Sequence, residues 1–132
     1  MVLVDTSVWV EVFRKQSRLN LESLVDFDDV VTCLPVVQEV LQGFDAEAAF
    51  SRAREALTAL PIVEAPLGRD VFLQAVDLYR AARRQGKTVR SSTDCVIAVC
   101  ALRNNLEVLH SDRDFDALAG ISALRARNVR AK

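Results

Sequence analysis

Four acidic residues could form a site, and three of them lie where secondary-structure elements would begin or end. Asp5 follows a short apolar run, and Asp112 comes soon after another. Asp94 directly precedes eight consecutive apolar residues, 95–102, and Glu39 is surrounded by apolar residues in a helix-like segment. If these segments pack together, the four carboxylates meet in one place, where they would form a site for a cation.

A cluster of carboxylates is costly unless something neutralises it. Two carboxylates about 4 Å apart repel by roughly 4 kcal/mol at an effective dielectric near 20. A shared proton or a bound cation relieves this repulsion, and no basic residue adjoins Asp5 or Asp94 in the sequence. Oxygen ligands without His or Cys suit Mg²⁺ or Mn²⁺ better than zinc. Because such ions activate water and hold the oxygens of a phosphodiester, the residues favour metal-dependent phosphoryl chemistry.

Each acid also has a purely structural interpretation. Asp5 is placed to cap the first helix, and Asp112 or Asp114 is placed to cap the last one. Ser91 and Asp94 match the spacing of a capping box. For Glu39 the structural interpretation is a solvated residue on a helix surface. Taken singly, acids at helix starts are usually just caps, so the functional interpretation rests on the combination.

The order of the elements predicts the fold class. Short β-branched runs alternate with amphipathic helical segments, which is typical of an α/β fold with a mostly parallel sheet. We expect strands at 2–4, 30–33, 61–63, in a run ending at 109, and near 128–130, and helices that begin near residues 6, 35, 46, 68, 94 and 115. Residues 15–29 should form a loop with a short helix near 21–25. Ligands gather at the carboxyl ends of the strands in such sheets, the edge at which Asp5, Asp94 and Asp112 are expected.

The composition is that of an ordinary globular domain. Hydrophobic residues make up 51% of the 132 residues and charged residues 27%, and no apolar run is long enough to span a membrane. No linker or repeat divides the chain, so residues 1–132 should form one domain. The chain opens directly on a strand-like run, so no signal peptide is expected. Its three cysteines lie in apolar surroundings without C-x-x-C spacing, which indicates buried reduced thiols and a cytoplasmic protein.

Basic residues are concentrated although the net charge is only −1. That overall balance neither requires nor excludes a nucleic-acid partner. The stretch 80–90 contains five bases and no acid: Arg80, Arg83, Arg84, Lys87 and Arg90. The structural interpretation is a solvated helix end whose charges favour the helix dipole. The functional interpretation is a rim that faces phosphates.

Four motifs in series resemble the PIN-domain family. They are Asp5-Thr6-Ser7 after the first apolar run, the segment 34–43 (LPVVQEVLQG), the segment 93–98 (TDCVIA) and the segment 109–115 (LHSDRDF). Each motif is weak by itself, but together they follow the family order across nearly the whole chain. Within the family they look most like the VapC-type toxins of bacterial toxin–antitoxin pairs. Cys95 is a minor departure, since similar proteins usually have a small residue such as alanine there.

This resemblance implies a Mg²⁺- or Mn²⁺-dependent endoribonuclease with a three-layer α/β/α sandwich. The catalytic residues it implies are Asp5, Glu39, Asp94 and Asp112, of which Asp5, Asp94 and Asp112 would bind the metal. The supporting residues would be Thr6, Ser7 and Asp114. Residues in contact with RNA or an antitoxin would be Arg84, Lys87 and Arg90. Similar toxins form homodimers and are silenced by a cognate antitoxin protein, so both partners are expected here, and no membrane partner is.

Three alternatives stay open at this point. The chain could be a catalytically silent module that binds RNA or a protein, although all four acids are present. It could be a phosphatase with Asp5 as nucleophile, but the second Asp and the Gly of the Asp-x-Asp-Gly-Thr motif are missing. His110 could act as a general base, although a lone His at a strand end is more often a packed residue.

Overall fold

The computed structural model describes residues 1–14 and 19–130, and in it four strands form one parallel sheet. The strands are β1 (Val2–Val4), β2 (Val30–Val31), β3 (Glu107–His110) and β4 (Arg125–Asn128). Their order across the sheet is β2-β1-β3-β4, and the central pair is in register with Val4 opposite Leu109. The sheet confirms the α/β class and the parallel arrangement.

The strand order places a crevice at the carboxyl edge of the sheet. From β1 the chain moves to β2 on one side and later returns to β3 on the other side. Connections leave β1 and β3 in different directions at such a switch point, which opens a crevice beyond their carboxyl ends. Asp5 leaves β1 at this point and Asp112 lies two residues beyond the end of β3.

Six α-helices connect and cover the strands in the described part of the chain. They are α1 (Thr6–Val12), α2 (Leu34–Leu41), α3 (Glu47–Thr58), α4 (Arg69–Arg84), α5 (Ser92–Arg103) and α6 (Arg113–Ala119). Contacts join α1 to α2, α2 to α3 and α5, and α4 and α6 to α5. Over the described residues, none of these helices combines the length and apolar character that a membrane crossing needs.

Helix α5 is the buried centre of the fold. Six apolar residues of α5 are buried, and they lie around most of the helix rather than on one face: Cys95, Ile97, Ala98, Val99, Cys100 and Ala101. A helix that is apolar on every side belongs in a core. Because α5 leads into the start of β3, its own first turn lies at the carboxyl edge of the parallel strands. Its first turn therefore carries Asp94 to the crevice.

Several local predictions are confirmed and some are wrong. The two long helices and β1 appear where the sequence predicts them, and the short helix near 21–25 is a 3₁₀ turn at Leu21–Ser23. Within the loop predicted for residues 15–29, positions 15–18 lie outside the described residues. The strand predicted at 61–63 is only a bridge between Thr32 and Ile62, and the last strand lies at Arg125–Asn128 rather than at 128–130.

Candidate metal centre

Asp5 is both a helix cap and a buried carboxylate with a spare oxygen. Its Oδ2 accepts hydrogen bonds from the Ser7 N–H at 3.0 Å and the Ser7 hydroxyl at 2.6 Å. The other oxygen, Oδ1, is buried and has no hydrogen-bond partner. The capping interpretation is therefore correct but incomplete, because capping uses one oxygen and leaves the second one free to bind something else.

Asp94 lies in the first turn of α5, and the capping box expected from the sequence does not form. Ser91 is the N-cap residue, yet its side chain makes no capping hydrogen bond. Asp114 takes over the start of this helix, since its Oδ2 accepts from the N–H groups of Arg90 at 2.9 Å and Ser91 at 3.1 Å. Asp94 is consequently not used as a cap, and its Oδ2 is buried without a partner.

The turn after β3 brings two carboxylates close to Asp94, in a group of three that does not include Asp5. Asp112 caps α6, with its Oδ1 accepting from the Asp114 N–H at 2.9 Å. Asp94, Asp112 and Asp114 each offer one oxygen, and these three atoms lie within 4.8 Å of one another. That spacing allows the three side chains to share one cation. Asp114 thus combines a place in this group with its hydrogen bonds to the segment before α5.

Glu39 joins the site from α2. Its Oε1 accepts a hydrogen bond from the Thr6 hydroxyl at 2.9 Å, which ties α2 to the first residue of α1. It is not one of the three clustered acids, but its charge contributes to the raised pKa of Asp5. The two supporting residues therefore hold different acids, since Thr6 contacts Glu39 and Ser7 contacts Asp5.

The electrostatics of these acids are unfavourable without a cation. Burial raises the pKa of Asp5 to about 6, although the Ser7 hydrogen bonds oppose this. Burial also raises the pKa of Asp94 to about 9, and the neighbouring Asp5, Asp114 and Asp112 carboxylates raise it further. Among the described residues, no ion pair involves any of these acids. An all-oxygen donor set with two unpartnered buried oxygens suits a hard divalent cation.

The basic residues lie outside this cluster. Arg84, Lys87 and Arg90 are exposed, and Arg84 lines a shallow depression with Arg80 and Arg83. The Arg90 backbone N–H contacts Asp114, which places this residue at the edge of the acidic group. Among the described residues, the side chains of Arg84 and Lys87 make no hydrogen bond or ion pair with the clustered acids, so their link to the site rests on the sequence interpretation.

His110 is packed inside the protein, as the structural interpretation expects. Its side chain is 0% exposed, so it does not face the crevice where a substrate would lie. Burial lowers its pKa, which keeps the ring neutral at physiological pH. A general-base role is therefore excluded by position, and no pattern in the sequence indicates the contact that the ring makes with Asp112.

Comparison with known proteins agrees with this site and fold. The family model of the PIN domain matches residues 2–121. The chain belongs to the PIN-domain family. The four motifs that resemble this family in the sequence are the ones that contain the four acids.

Curated relatives and solved structures of similar sequence or fold indicate the branch of the family. "VapC ribonuclease Mb1587" of Mycobacterium bovis and "Ribonuclease VapC11" of Mycobacterium tuberculosis are each 36% identical over 135 residues, which covers 98% of this chain and 100% of each relative. The solved VapBC-5 structure, from the VapBC family of toxin–antitoxin systems of Mycobacterium tuberculosis, has a TM-score of 0.73 at 25% identity and covers 97% of this chain and 98% of that one. FitAcB from Neisseria gonorrhoeae, at 20% identity and a TM-score of 0.71 over 97% of both chains, shares the fold.

Proposed function

We propose that this chain is a metal-dependent endoribonuclease toxin that hydrolyses RNA phosphodiester bonds and is silenced by a cognate antitoxin protein. The observation that carries the proposal is the group of buried carboxylates at the sheet edge, with unpartnered oxygens on Asp5 and Asp94. Its relatives named as VapC ribonucleases support the same activity. Their lengths match this chain almost completely, so no large part of a relative is missing from the comparison.

In this proposal Asp5, Asp94 and Asp112 would hold Mg²⁺ or Mn²⁺, and Glu39 would complete the catalytic set. A divalent ion held there would supply an activated water and stabilise the charge that develops on the phosphate. Ser7 orients the Asp5 carboxylate and Thr6 orients Glu39. Asp114 positions the start of α5, and therefore Asp94, through its two backbone contacts.

The partners follow from the same proposal. The exposed bases Arg84, Lys87 and Arg90 would contact the RNA backbone or the antitoxin, because cationic side chains neutralise phosphates or acidic residues. The solved relative that comes from a VapBC system supports an antitoxin partner. We expect a homodimer, and a cytoplasmic location is supported by three buried free cysteines.

The proposal is tested with purified protein, Mn²⁺ or Mg²⁺ and an RNA substrate. Asp5→Asn should lower the cleavage rate by on the order of 100-fold or more, because it removes a charged ligand and leaves the fold intact. Asp77→Asn is the matched control, since it makes the same change on the exposed surface of α4 and should cleave at the parent rate. Cleavage by Asp5→Asn at the parent rate would show that the mechanism is wrong.

A catalytically silent module that binds RNA or a protein is the second candidate. Calorimetric titration separates the two, because a silent module has no need of a specific Mg²⁺ or Mn²⁺ site. Saturable binding that Asp5→Asn weakens supports the nuclease. RNA binding without metal binding and without cleavage supports the silent module.

A further inference from the structure

We propose that His110 is a positioning residue that holds the backbone of Asp112 and thereby aims its carboxylate at the metal site. This inference rests on the proposed function, because it takes Asp112 to be a metal ligand. His110 lies within the motif 109–115, but it is not one of the catalytic or supporting residues that the family resemblance implies. The role belongs to the ring as a fixed hydrogen-bond acceptor, and no proton transfer to substrate is involved.

One hydrogen bond defines this positioning role. The Asp112 N–H donates to Nδ1 of His110 at 3.2 Å. A nitrogen that accepts a hydrogen bond carries no proton, so the ring proton is on Nε2. Nε2 is 3.5 Å from Oδ1 of Asp116, the carboxylate nearest to it, and has no closer acceptor among the described residues. The arrangement therefore specifies a single tautomer.

The ring has no freedom to turn away from Asp112. It is 0% exposed and packs against the Phe115 ring, with the two ring centroids 5.3 Å apart. The His110 backbone oxygen accepts from the Val129 N–H at 2.8 Å. On the far side, Asn128 donates to Asp116 at 3.0 Å, so both flanks of the ring are fixed by α6 and by the end of β4.

The turn after β3 shows what this contact does. Three of its N–H groups are satisfied by side chains: Ser111 by the Ser7 hydroxyl at 2.9 Å, Asp112 by His110, and Asp114 by Oδ1 of Asp112. Asp112 is thus held at its own backbone by His110, while its Oδ1 holds the next turn. Its carboxylate also offers one oxygen to the group that it forms with Asp94 and Asp114. Without the His110 acceptor the carboxylate would have to be ordered when the metal binds, which weakens metal affinity.

Two substitutions test the roles of the two ring nitrogens individually. His110→Asn keeps an acceptor close to the Nδ1 position, and His110→Gln keeps a donor close to the Nε2 position but removes that acceptor. We expect His110→Gln to weaken Mn²⁺ binding about 10-fold, the usual effect of losing a residue that orients a metal ligand. His110→Asn should stay within about 3-fold of the parent. Val108→Ala is the control for general destabilisation, since it opens a cavity in the same buried strand without touching Asp112.

Two further measurements need no metal. In the chelated parent protein, long-range ¹⁵N–¹H spectra of the His110 ring should place the proton on Nε2. Amide hydrogen exchange of Asp112 should be faster in His110→Gln than in His110→Asn at matched thermal stability. A merely structural role would alter the stability of both variants and would not separate them in Mn²⁺ affinity or Asp112 exchange.

The outcomes distinguish this inference from the proposed function. A proton on Nδ1, or equal loss of Mn²⁺ affinity in both His110 variants, would overturn the positioning role. If Asp112→Asn abolishes Mn²⁺ binding while His110→Gln leaves it unchanged, only this inference fails. If Asp112→Asn binds Mn²⁺ as the parent does, the proposed metal site itself fails. Selective loss in His110→Gln, together with the Nε2 proton, supports both.

Discussion

Asp94→Asn should make the metal-free protein more stable, and the gain should increase with pH. Asp94 is 5% exposed, and its pKa is raised from 3.8 to about 9. Between these two values the folded protein keeps a proton that the unfolded chain releases. The parent therefore loses stability as pH rises through this window. Asparagine has nearly the shape of the protonated acid and carries no charge at any pH, so it avoids this loss.

The size of the effect follows from the same window. One proton of difference between folded and unfolded states changes the free energy of unfolding by about 1.4 kcal/mol per pH unit. Near pH 7 the accumulated difference has an upper limit of about 4 kcal/mol, a large fraction of the stability of a small domain. Asp5 is present in both proteins, so its own raised pKa largely cancels in the comparison.

Urea unfolding in the presence of a chelator measures this directly. From about pH 5.5 to about pH 7.5 the stability of Asp94→Asn relative to the parent should rise by about 3 kcal/mol. Mn²⁺ narrows this gap: at about 100 times its dissociation constant it should stabilise the parent by about 2.7 kcal/mol. The variant, which has lost a ligand, should gain much less. Asp77→Asn, an exposed change on α4, should show neither effect.

Two results would refute this reasoning. A stability difference that does not change with pH would mean that Asp94 titrates in the folded protein as it does in the unfolded chain. A chelated parent that is more stable than Asp94→Asn near pH 7.5 would mean that the buried carboxylate is already neutralised by a contact within the protein. Either result removes the electrostatic argument for a cation at this site.

Two further predictions concern Asp114 and the basic residues. Asp114→Ala should lower the free energy of unfolding by about 3 kcal/mol, because it leaves the N–H groups of Arg90 and Ser91 without their acceptor. Asp114→Asn keeps an amide oxygen at this position, so it should lose less stability. Urea unfolding of both variants measures the difference. The double substitution of Arg84 and Lys87 by Ala should weaken binding to a non-cleavable RNA in chelator and reduce the salt slope by about 0.7 for each lost phosphate contact, as measured by fluorescence anisotropy across a salt series.

Other outcomes for Asp114 and for the two basic residues would assign them different roles. If Asp114→Asn retains stability but loses Mn²⁺ affinity, the carboxylate charge itself contributes to the metal site in addition to its hydrogen bonds. If it retains both, Asp114 acts on the metal only by positioning α5. An unchanged salt slope after the double substitution would place the RNA backbone elsewhere. Arg52→Ala on the exposed surface of α3 is the matched control for removing a positive charge.

The sequence predicts the position of the site because position follows from local order. A short apolar run that ends in Asp5 becomes a buried strand, and the parallel arrangement brings its carboxyl end beside that of β3. The unbroken apolar run 95–102 predicts a buried element, and the capping residues 91–93 before it indicate a helix. Given these elements, Asp94 and Asp112 reach the same edge without any knowledge of side-chain contacts.

The sequence does not predict which acceptor satisfies which donor. Ser91 and Asp94 have capping-box spacing, yet the Ser91 N–H donates to Asp114, which is 23 residues away. A contact across that separation leaves no local pattern. The strand expected at 61–63 is wrong for a similar reason, since a β-branched run becomes a strand only where a neighbouring strand offers a full ladder, and here a single bridge to Thr32 forms.

The packing of α5 explains why this site should bind a cation rather than rearrange. Most residues of α5 between 95 and 101 are buried, with Val96 half-buried, so the helix could rotate Asp94 into water only by exposing buried apolar side chains. Asp114 fixes the segment that precedes the helix, which prevents the first turn from unwinding. The carboxylate then has two ways to avoid a buried charge, a proton or a cation. At pH values below the raised Asp94 pKa of about 9, a proton and a cation compete for this carboxylate. Metal affinity should therefore increase with pH over the same range in which the metal-free protein loses stability.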